Sequence, residues 1–151
     1  MTFFPTVEVT KATHGDLAQV LALLRQCALL ETGVAEAIDD FCIARSEGRL
    51  VGCAGLERYG ELGLLRSVAV ELAARHTGLG TKLVDAIRSA ARAGQLRELF
   101  LLTTTAAHFF ERRGFVSVQR STLPAPIAQS WEFRVGCPQT ALAMRLALAQ
   151  G

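Results

Sequence analysis

Between Leu64 and Ala91 the chain changes hydrophobic period without a break, and this passage limits the folds open to it more than any other. Leu64-Leu65 and Val68-Ala69-Val70 are apolar at successive positions, the pattern of a strand covered on both faces. The stretch from Ala74 to Gly80 follows, and from there Leu79, Leu83, Val84, Ile87, Ala90 and Ala91 recur on one side of a helix. Gly78 and Gly80 therefore stand at the first turn of an amphipathic helix, where backbone N–H groups have no helical partner. Glycine lets the backbone come close to a ligand, the helix dipole favours negative charge and Arg75 adds a cation, so the turn is shaped for a pyrophosphate. With 13 glycines in 151 residues, about one G-x-G arises by chance, so the strand-turn-helix context carries this reading. A Rossmann site wants a third glycine where Leu83 stands, and a nucleotidase phosphate loop wants Gly-Lys-Ser/Thr; the sequence has neither. The alternative is an ordinary turn whose small residues serve packing.

Before this passage, Thr6 to Thr10 reads as a strand, and Thr13 or Asp16 caps a helix with Leu17, Val20, Leu21 and Leu24 at helical spacing. A shorter helix is expected over Val34 to Asp39. An antiparallel meander follows: Phe41 to Arg45, a Ser46-Glu47-Gly48 turn, Leu50 to Arg58, a Tyr59-Gly60-Glu61 turn, then Leu62 to Val70. Its middle strand, like the last, is apolar on successive positions from Val51 to Leu56. After the amphipathic helix, which Gly94 ends, come a strand over Leu96 to Leu102 and a helix over Ala106 to Arg113 stopped by Gly114. A strand over Phe115 to Arg120, a break at Pro124 and Pro126, a turn of helix over Ile127 to Glu132 and a final strand or helix over Ala141 to Leu148 complete the chain. There is no repeat, low-complexity tract or linker, and 16.3 kDa is the size of one domain, spanning 1–151.

A formal charge of +2 is too small for an electrostatic footprint on nucleic acid or anionic lipid. No apolar run reaches the roughly 18 residues of a membrane span, and Met1 to Val9 lacks a basic segment followed by an apolar one, so a cytoplasmic protein is expected. Cys27, Cys42, Cys53 and Cys137 are scattered singly, which favours buried, reduced thiols; no metal is expected. Trp131 and Tyr59 are single aromatics that suggest no base stacking, and Trp131 reads as a core or interface anchor.

Arg75-x-x-Gly78-x-Gly80 resembles motif A of the GNAT superfamily of N-acetyltransferases, and the order of elements is similar to that family along nearly the whole chain. The resemblance implies an α/β (α+β) fold with a mixed central sheet of six or seven strands, splayed at the fourth and fifth, and helices on both faces. It implies acetyl-CoA as co-substrate, with the pyrophosphate on Arg75, His76, Thr77, Gly78, Leu79, Gly80 and Thr81 and the pantetheine along Val68, Ala69 and Val70. The block from Leu101 to Phe115 resembles N-acetylglutamate synthase catalytic domains. Leu56 to Leu146 is also similar to the short ArsN-type acetyltransferases of arsenic-resistance operons, through Leu64-Leu65-Arg66-Ser67, Thr103-Thr104-Thr105, Pro126-Ile127, Ser130, Glu132-Phe133 and Cys137-Pro138.

Acetyl transfer to an amine needs a deprotonated nucleophile, a stabilised oxyanion and a leaving thiolate. By resemblance, the N–H near Val68 donates to the thioester oxygen. Many family members place a tyrosine acid where this chain has Phe110; a thiol with pKa near 8.5 leaves as thiolate without one. His108 lies about 200 degrees round a helix from Phe110 and reads as a surface residue. Thr104 and Thr105, at a strand end, are placed to hydrogen-bond or simply to pack. Glu57 is the candidate base, or else an exposed edge charge. Arg66 interrupts an apolar strand, and a buried guanidinium needs an anion, either a substrate carboxylate or Glu57. Arg66 and Ser67 are the expected substrate-binding residues. The acceptor expected from these resemblances and Arg66 is a small acidic α-amino acid or an arsenic or phosphorus analogue, attacking the thioester directly in a ternary complex. A protein acetyltransferase and a non-catalytic acetyl-CoA-binding regulator are the alternatives. Cys137 beside Pro138 raises arsenic binding, and a homodimer is left open.

Overall fold

A computed structural model of the protein describes residues 7–136 and 140–148, so Cys137 and Pro138 lie outside the described residues. Its strands are β1 (Val7–Lys11), β2 (Phe41–Ser46), β3 (Arg49–Tyr59), β4 (Leu62–Val70), β5 (Glu98–Thr103), β6 (Val116–Val118) and β7 (Leu142–Ala147). The helices are α1 (Leu17–Gln26), α2 (Val34–Ala37), α3 (Leu79–Ala93), α4 (Ala107–Glu111) and α5 (Ala125–Ala128). Among the described residues no helix is long and apolar enough to cross a membrane.

The strands form one mixed sheet in the order β1-β2-β3-β4-β5-β7-β6. β1 and β2 pair antiparallel, as do β2 and β3. The β2–β3 hairpin turns through Glu47 and Gly48, both at positive φ (52° and 79°), the geometry of a type I′ turn whose twist matches the flanking strands. β4 pairs with β5 in parallel through Leu62, Gly63 and Leu64 against Glu98, Leu99 and Phe100, the first third of β4. The segment near the C-terminus, open between strand and helix in the sequence, is strand β7. All six of its residues find partners on β5, a case of tertiary pairing deciding what local preference does not.

α3 ends at Ala93, directly before Gly94 as the sequence places it, and the left-handed residue of the cap is Gln95, at φ 63°, with Leu96 N–H donating to Ala91 O at 2.9 Å. A Cβ at Gly94 would press on the guanidinium end of Arg58, an exposed side chain that can swing aside. Gly114, at φ 95°, does close α4 as its sequence position suggests. β6 covers only Val116–Val118 of the strand expected as far as Arg120, because Arg120–Thr122 turns into a 3-10 helix.

By contact density the chain divides into two compact units. The first, Met1–Leu56 with Ser67–Ser89, is built round Val20, Leu24, Val34, Ile38, Phe41 and Ile43, all at most 2% exposed. The Thr13–Asp16 capping box, with Thr13 N–H donating to Asp16 Oδ2 at 2.8 Å, starts the chain into α1 and delivers the apolar face to this core. The second, Glu57–Arg66 with Ala90–Gly151, packs Leu64, Phe100, Ile127, Phe133 and Ala143 together, with the ring of Tyr59 against them.

In the first unit Gly55 stands opposite Phe41 in the β2–β3 register, and the Phe41 ring occupies the space a side chain would need. Gly55→Ala is therefore expected to destabilise the fold by about 1–3 kcal/mol, the range for overpacking a filled core. Chemical denaturation checks this; a midpoint equal to the parent's would mean that Phe41 has somewhere else to go.

Candidate active site

In the first unit, β4 carries a kink that no motif announced. Ser67 lies at φ 59° inside the strand, a left-handed conformation that costs a non-glycine residue about 1 kcal/mol or more. Its carbonyl accepts from the Cys53 thiol at 3.3 Å, and burial pushes that thiol up to about 12, so it stays protonated and able to donate. Beyond Ser67, Val68 and Val70 are half-buried and Ala69 is buried. Glu71 N–H donates to Val51 O at 2.8 Å, holding the end of β4 to β3. Gly52 permits this layer, since a Cβ there would press on Leu83, Leu79 and the carbonyl of Ala69.

The turn after β4 is held by its own side chains. Arg75 Nε donates to Val70 O at 3.0 Å and its Nη2 lies 3.7 Å from Cys27 Sγ, so the guanidinium folds back over the end of the strand. Arg75, the cation expected at the anion-binding turn, is exposed and has its Nε on this β4 carbonyl. Thr77 Oγ1 donates to Ala74 O at 2.6 Å. His76 and Gly78 both have left-handed backbones, φ 64° and 83°. Left-handed residues so close together are how successive backbone N–H groups become an anion-receiving concavity. Lys82 N–H to Gly78 O, at 3.2 Å, is the first bond of α3, so the helix itself offers no acceptor to the N–H groups of Leu79 and Gly80. The Leu79 side chain is buried, pinning the helix start, while Gly78, His76 and Thr77 are exposed; Gly80 and Thr81 are half-buried.

In the second unit, three side chains of the β3–β4 hairpin form a hydrogen-bonded cluster. Arg66 Nη1 donates to Glu57 Oε2 at 2.6 Å, and the Tyr59 hydroxyl donates to Glu57 Oε1 at 2.5 Å. The Arg66 side chain is 5% exposed and that of Glu57 20%. Of the two anions open to Arg66 from the sequence, the chain itself supplies Glu57, and Glu57 is not an exposed edge charge. Burial, and then the Glu57 carboxylate, raise the Tyr59 hydroxyl above the ordinary tyrosine range, so it is a donor at neutral pH. Tyr59, placed in a turn by the sequence reading, was missed as a site residue. Its signal was the spacing: residues 57 and 59 of a strand share a face.

Thr104 and Thr105 are exposed in the bend after β5, whereas Thr103 is buried and its Oγ1 accepts from Ala106 N–H at 3.0 Å. Phe110 is 6% exposed, with its ring edge-on to Phe109 and Phe115 at centroid distances of 5.0 and 5.6 Å. His108 points to solvent and faces Glu111 at 3.5 Å. Cys42 and Cys53 are buried and Cys27 is partly buried, and among the described residues no group of acidic, His and Cys side chains could hold a metal.

Residues 37–117 match the family model described as an acetyltransferase (GNAT) domain. Two curated relatives are named amino-acid acetyltransferase: one from Pseudomonas fluorescens, 36% identical over 64% of this chain, and one from Pseudomonas putida, 33% identical over 84% of it. The chain spans only 23% and 31% of their respective lengths. Among solved structures, N-acetylglutamate synthase from Neisseria gonorrhoeae, complexed with coenzyme A and N-acetyl-glutamate, superposes with a TM-score of 0.84 at 25% identity; the match covers 97% of this chain and 36% of that one. A Mycobacterium tuberculosis protein in complex with CoA and NLQ matches with a TM-score of 0.81 at 26% identity, over 94% of this chain and 99% of the other. The strand, the left-handed turn and the helix that follows it lie within the matched family domain, and this chain belongs to the GNAT acetyltransferase family.

Proposed function

We propose that the chain transfers the acetyl group of acetyl-CoA to the amine of a small acidic α-amino acid, a class that includes arsenic- and phosphorus-bearing analogues of glutamate. The observation that carries the cofactor half of this reading is the left-handed pair His76 and Gly78 at the head of α3. A non-glycine residue holds such a backbone only where the surroundings demand it, and here it turns N–H groups of the kind a pyrophosphate needs. The backbone from His76 to Thr81 takes the pyrophosphate, and Val68, Ala69 and Val70 take the pantetheine. Arg75 contributes by fixing the end of β4. When bound, acetyl-CoA supplies an activated acetyl thioester.

The acceptor half rests on Arg66 and on the names of the relatives. A guanidinium carries five N–H donors in a planar fork, and in Arg66 the Nη1 donor serves Glu57. Ser67, the other substrate-binding residue of this reading, follows it directly in the sequence. Glu57 accepts two donors, which favours a role in orienting Arg66 over that of a free base. In the transfer the acceptor nitrogen bonds to the acetyl carbon as the carbon–sulfur bond breaks, and the nitrogen's proton passes to solvent. Phe110 has no proton to give, and CoA leaves as thiolate, as a thiol pKa near 8.5 permits.

A thiol-release screen of the purified chain with acetyl-CoA tests this. Glutamate and its arsenic and phosphorus analogues are expected to be acetylated faster than neutral amino acids. Preference for polyamines or lysine-containing peptides would sink the acidic-acceptor reading; acetyl-CoA binding with no thiol release for any acceptor would make the chain a regulator.

A further inference from the structure

We propose that Cys53 is a positioning residue for acetyl transfer, its thiol holding the peptide between Ser67 and Val68 so that the Val68 N–H is presented to the thioester oxygen. The proposal rests on the reading of the chain as an acetyltransferase in which that N–H meets the thioester. Cys53 is fully buried in β3 and has no surface to offer a ligand, so it acts only through the backbone of β4. Its thiol donates to Ser67 O at 3.3 Å, and its sulfur accepts from the Ala69 N–H. One sulfur atom thus grips the peptide before residue 68 and the peptide after it.

In a trans peptide the C=O and the N–H point in opposite directions, and the described residues contain no cis bond. Drawing the Ser67 carbonyl onto Cys53 therefore aims the Val68 N–H away from it. The strand does not choose this arrangement unaided: Ser67, at φ 59°, is in the left-handed region, where a residue with a side chain stays only if its surroundings over-determine it. Ser67 makes a further contact besides the thiol, so Cys53 is one of several constraints on the bend. What the sulfur adds is its second bond, to Ala69, which fixes the torsions of Val68 between two anchored peptides. Such rigidity matters for an oxyanion donor, whose worth lies in being aimed at the developing charge before the reaction begins.

Cys53→Ala removes both bonds together with a single heavy atom, and Cys53→Ser restores a group that donates and accepts. Thiol release from acetyl-CoA is followed with glutamate, or with whichever amine of the screen the parent turns over. In Cys53→Ala kcat is expected to fall about tenfold, less than the roughly 10² to 10³ of losing an oxyanion donor outright. The acetyl-CoA Kd and the acceptor KM should stay within about twofold, since the lost interaction belongs to the transition state. Cys53→Ser should recover most of kcat. A second readout needs no acceptor: NMR exchange of the Ala69 amide should quicken about tenfold in Cys53→Ala, as the loss of one hydrogen bond allows, and slow again in Cys53→Ser, while the amides of α1 keep their protection. Cys42→Ala, which removes another buried thiol of the same sheet, controls for packing and should lower the melting temperature with kcat unchanged. Should Cys53→Ala fail to fold, Cys53→Val fills the space without a hydrogen-bonding atom and carries the same expectation. No thiol release by the parent with any amine would sink the acetyltransferase reading, and the proposal with it. Unchanged kcat in a folded Cys53→Ala, or equal losses in Cys53→Ala and Cys53→Ser, would overturn the role of Cys53 and leave that reading intact.

Discussion

Gly78→Val should abolish acetyl-CoA binding, raising Kd by about two orders of magnitude or more, in a protein that still folds. At φ 83° this residue occupies the region that a β-branched side chain tolerates worst. A Cβ at this position would meet nothing within 4 Å, so the substitution disturbs the backbone of the turn and spares the core. To relieve the strain the chain has to rotate the peptides on either side of residue 78, and these carry the N–H groups that would face a pyrophosphate. Two charge-assisted hydrogen bonds lost at about 1.5–3 kcal/mol each correspond to a factor of roughly 10² to 10⁴ in affinity. Calorimetric titration with acetyl-CoA, beside a thermal melt, measures both halves of the expectation. Unchanged affinity in a folded variant would remove the turn from the binding site. Gly80 is not among the positive-φ residues, so Gly80→Val is expected to act through the bulk it adds near a ligand.

The second large effect concerns Arg66. Arg66→Ala is expected to raise the KM for an acidic acceptor by one to two orders of magnitude, following the roughly 1.5–3 kcal/mol of a charge-assisted pair, and to affect neutral amines much less. The structure adds a complication that can be used. The same change strips Glu57 of a partner at 2.6 Å, and removing one member of a buried pair is itself destabilising. Arg66→Lys separates the two effects: an ammonium keeps the charge beside Glu57 but loses the planar fork that meets a second carboxylate at two points. A selective loss of acidic acceptors in Arg66→Lys, with a melting temperature close to the parent's, supports the anchor. Equal loss for every acceptor would return Arg66 to a purely structural partnership with Glu57.

Much of the fold is legible in the residues because its signals are local. The meander, the strand-to-helix passage and a helix start near Thr13 and Asp16 depend on spacing and turn chemistry, and each appears where those place it. What escapes is set by contacts distant in sequence. Ser67 takes a left-handed backbone with a side chain that signals nothing of the kind, because the bend is held by Cys53 from another strand. The end of α3 at Gly94 is legible, yet the left-handed residue of its cap is Gln95, which has no glycine to announce it. Arg75 belongs to a recognisable motif, yet the atom it finds is the carbonyl of Val70, five residues back, which no charge pattern reveals. The Glu57–Arg66 pair was visible as one of two choices, and only the folded hairpin shows the contact.

The sheet order also bears on how the protein behaves at high concentration. β6 is three residues long and stands at one end of the order, and β1, at the other, sets Glu8 between its two valines and ends in Thr10 and Lys11. Exposed strand margins are where chains recruit one another into runaway backbone pairing, and a short strand or a charged one gives such growth little to copy. Val116, 54% exposed on the short one, is the weak point. Lengthening β6 or replacing charged residues of β1 with apolar ones would trade solubility for fibrils before it altered any chemistry.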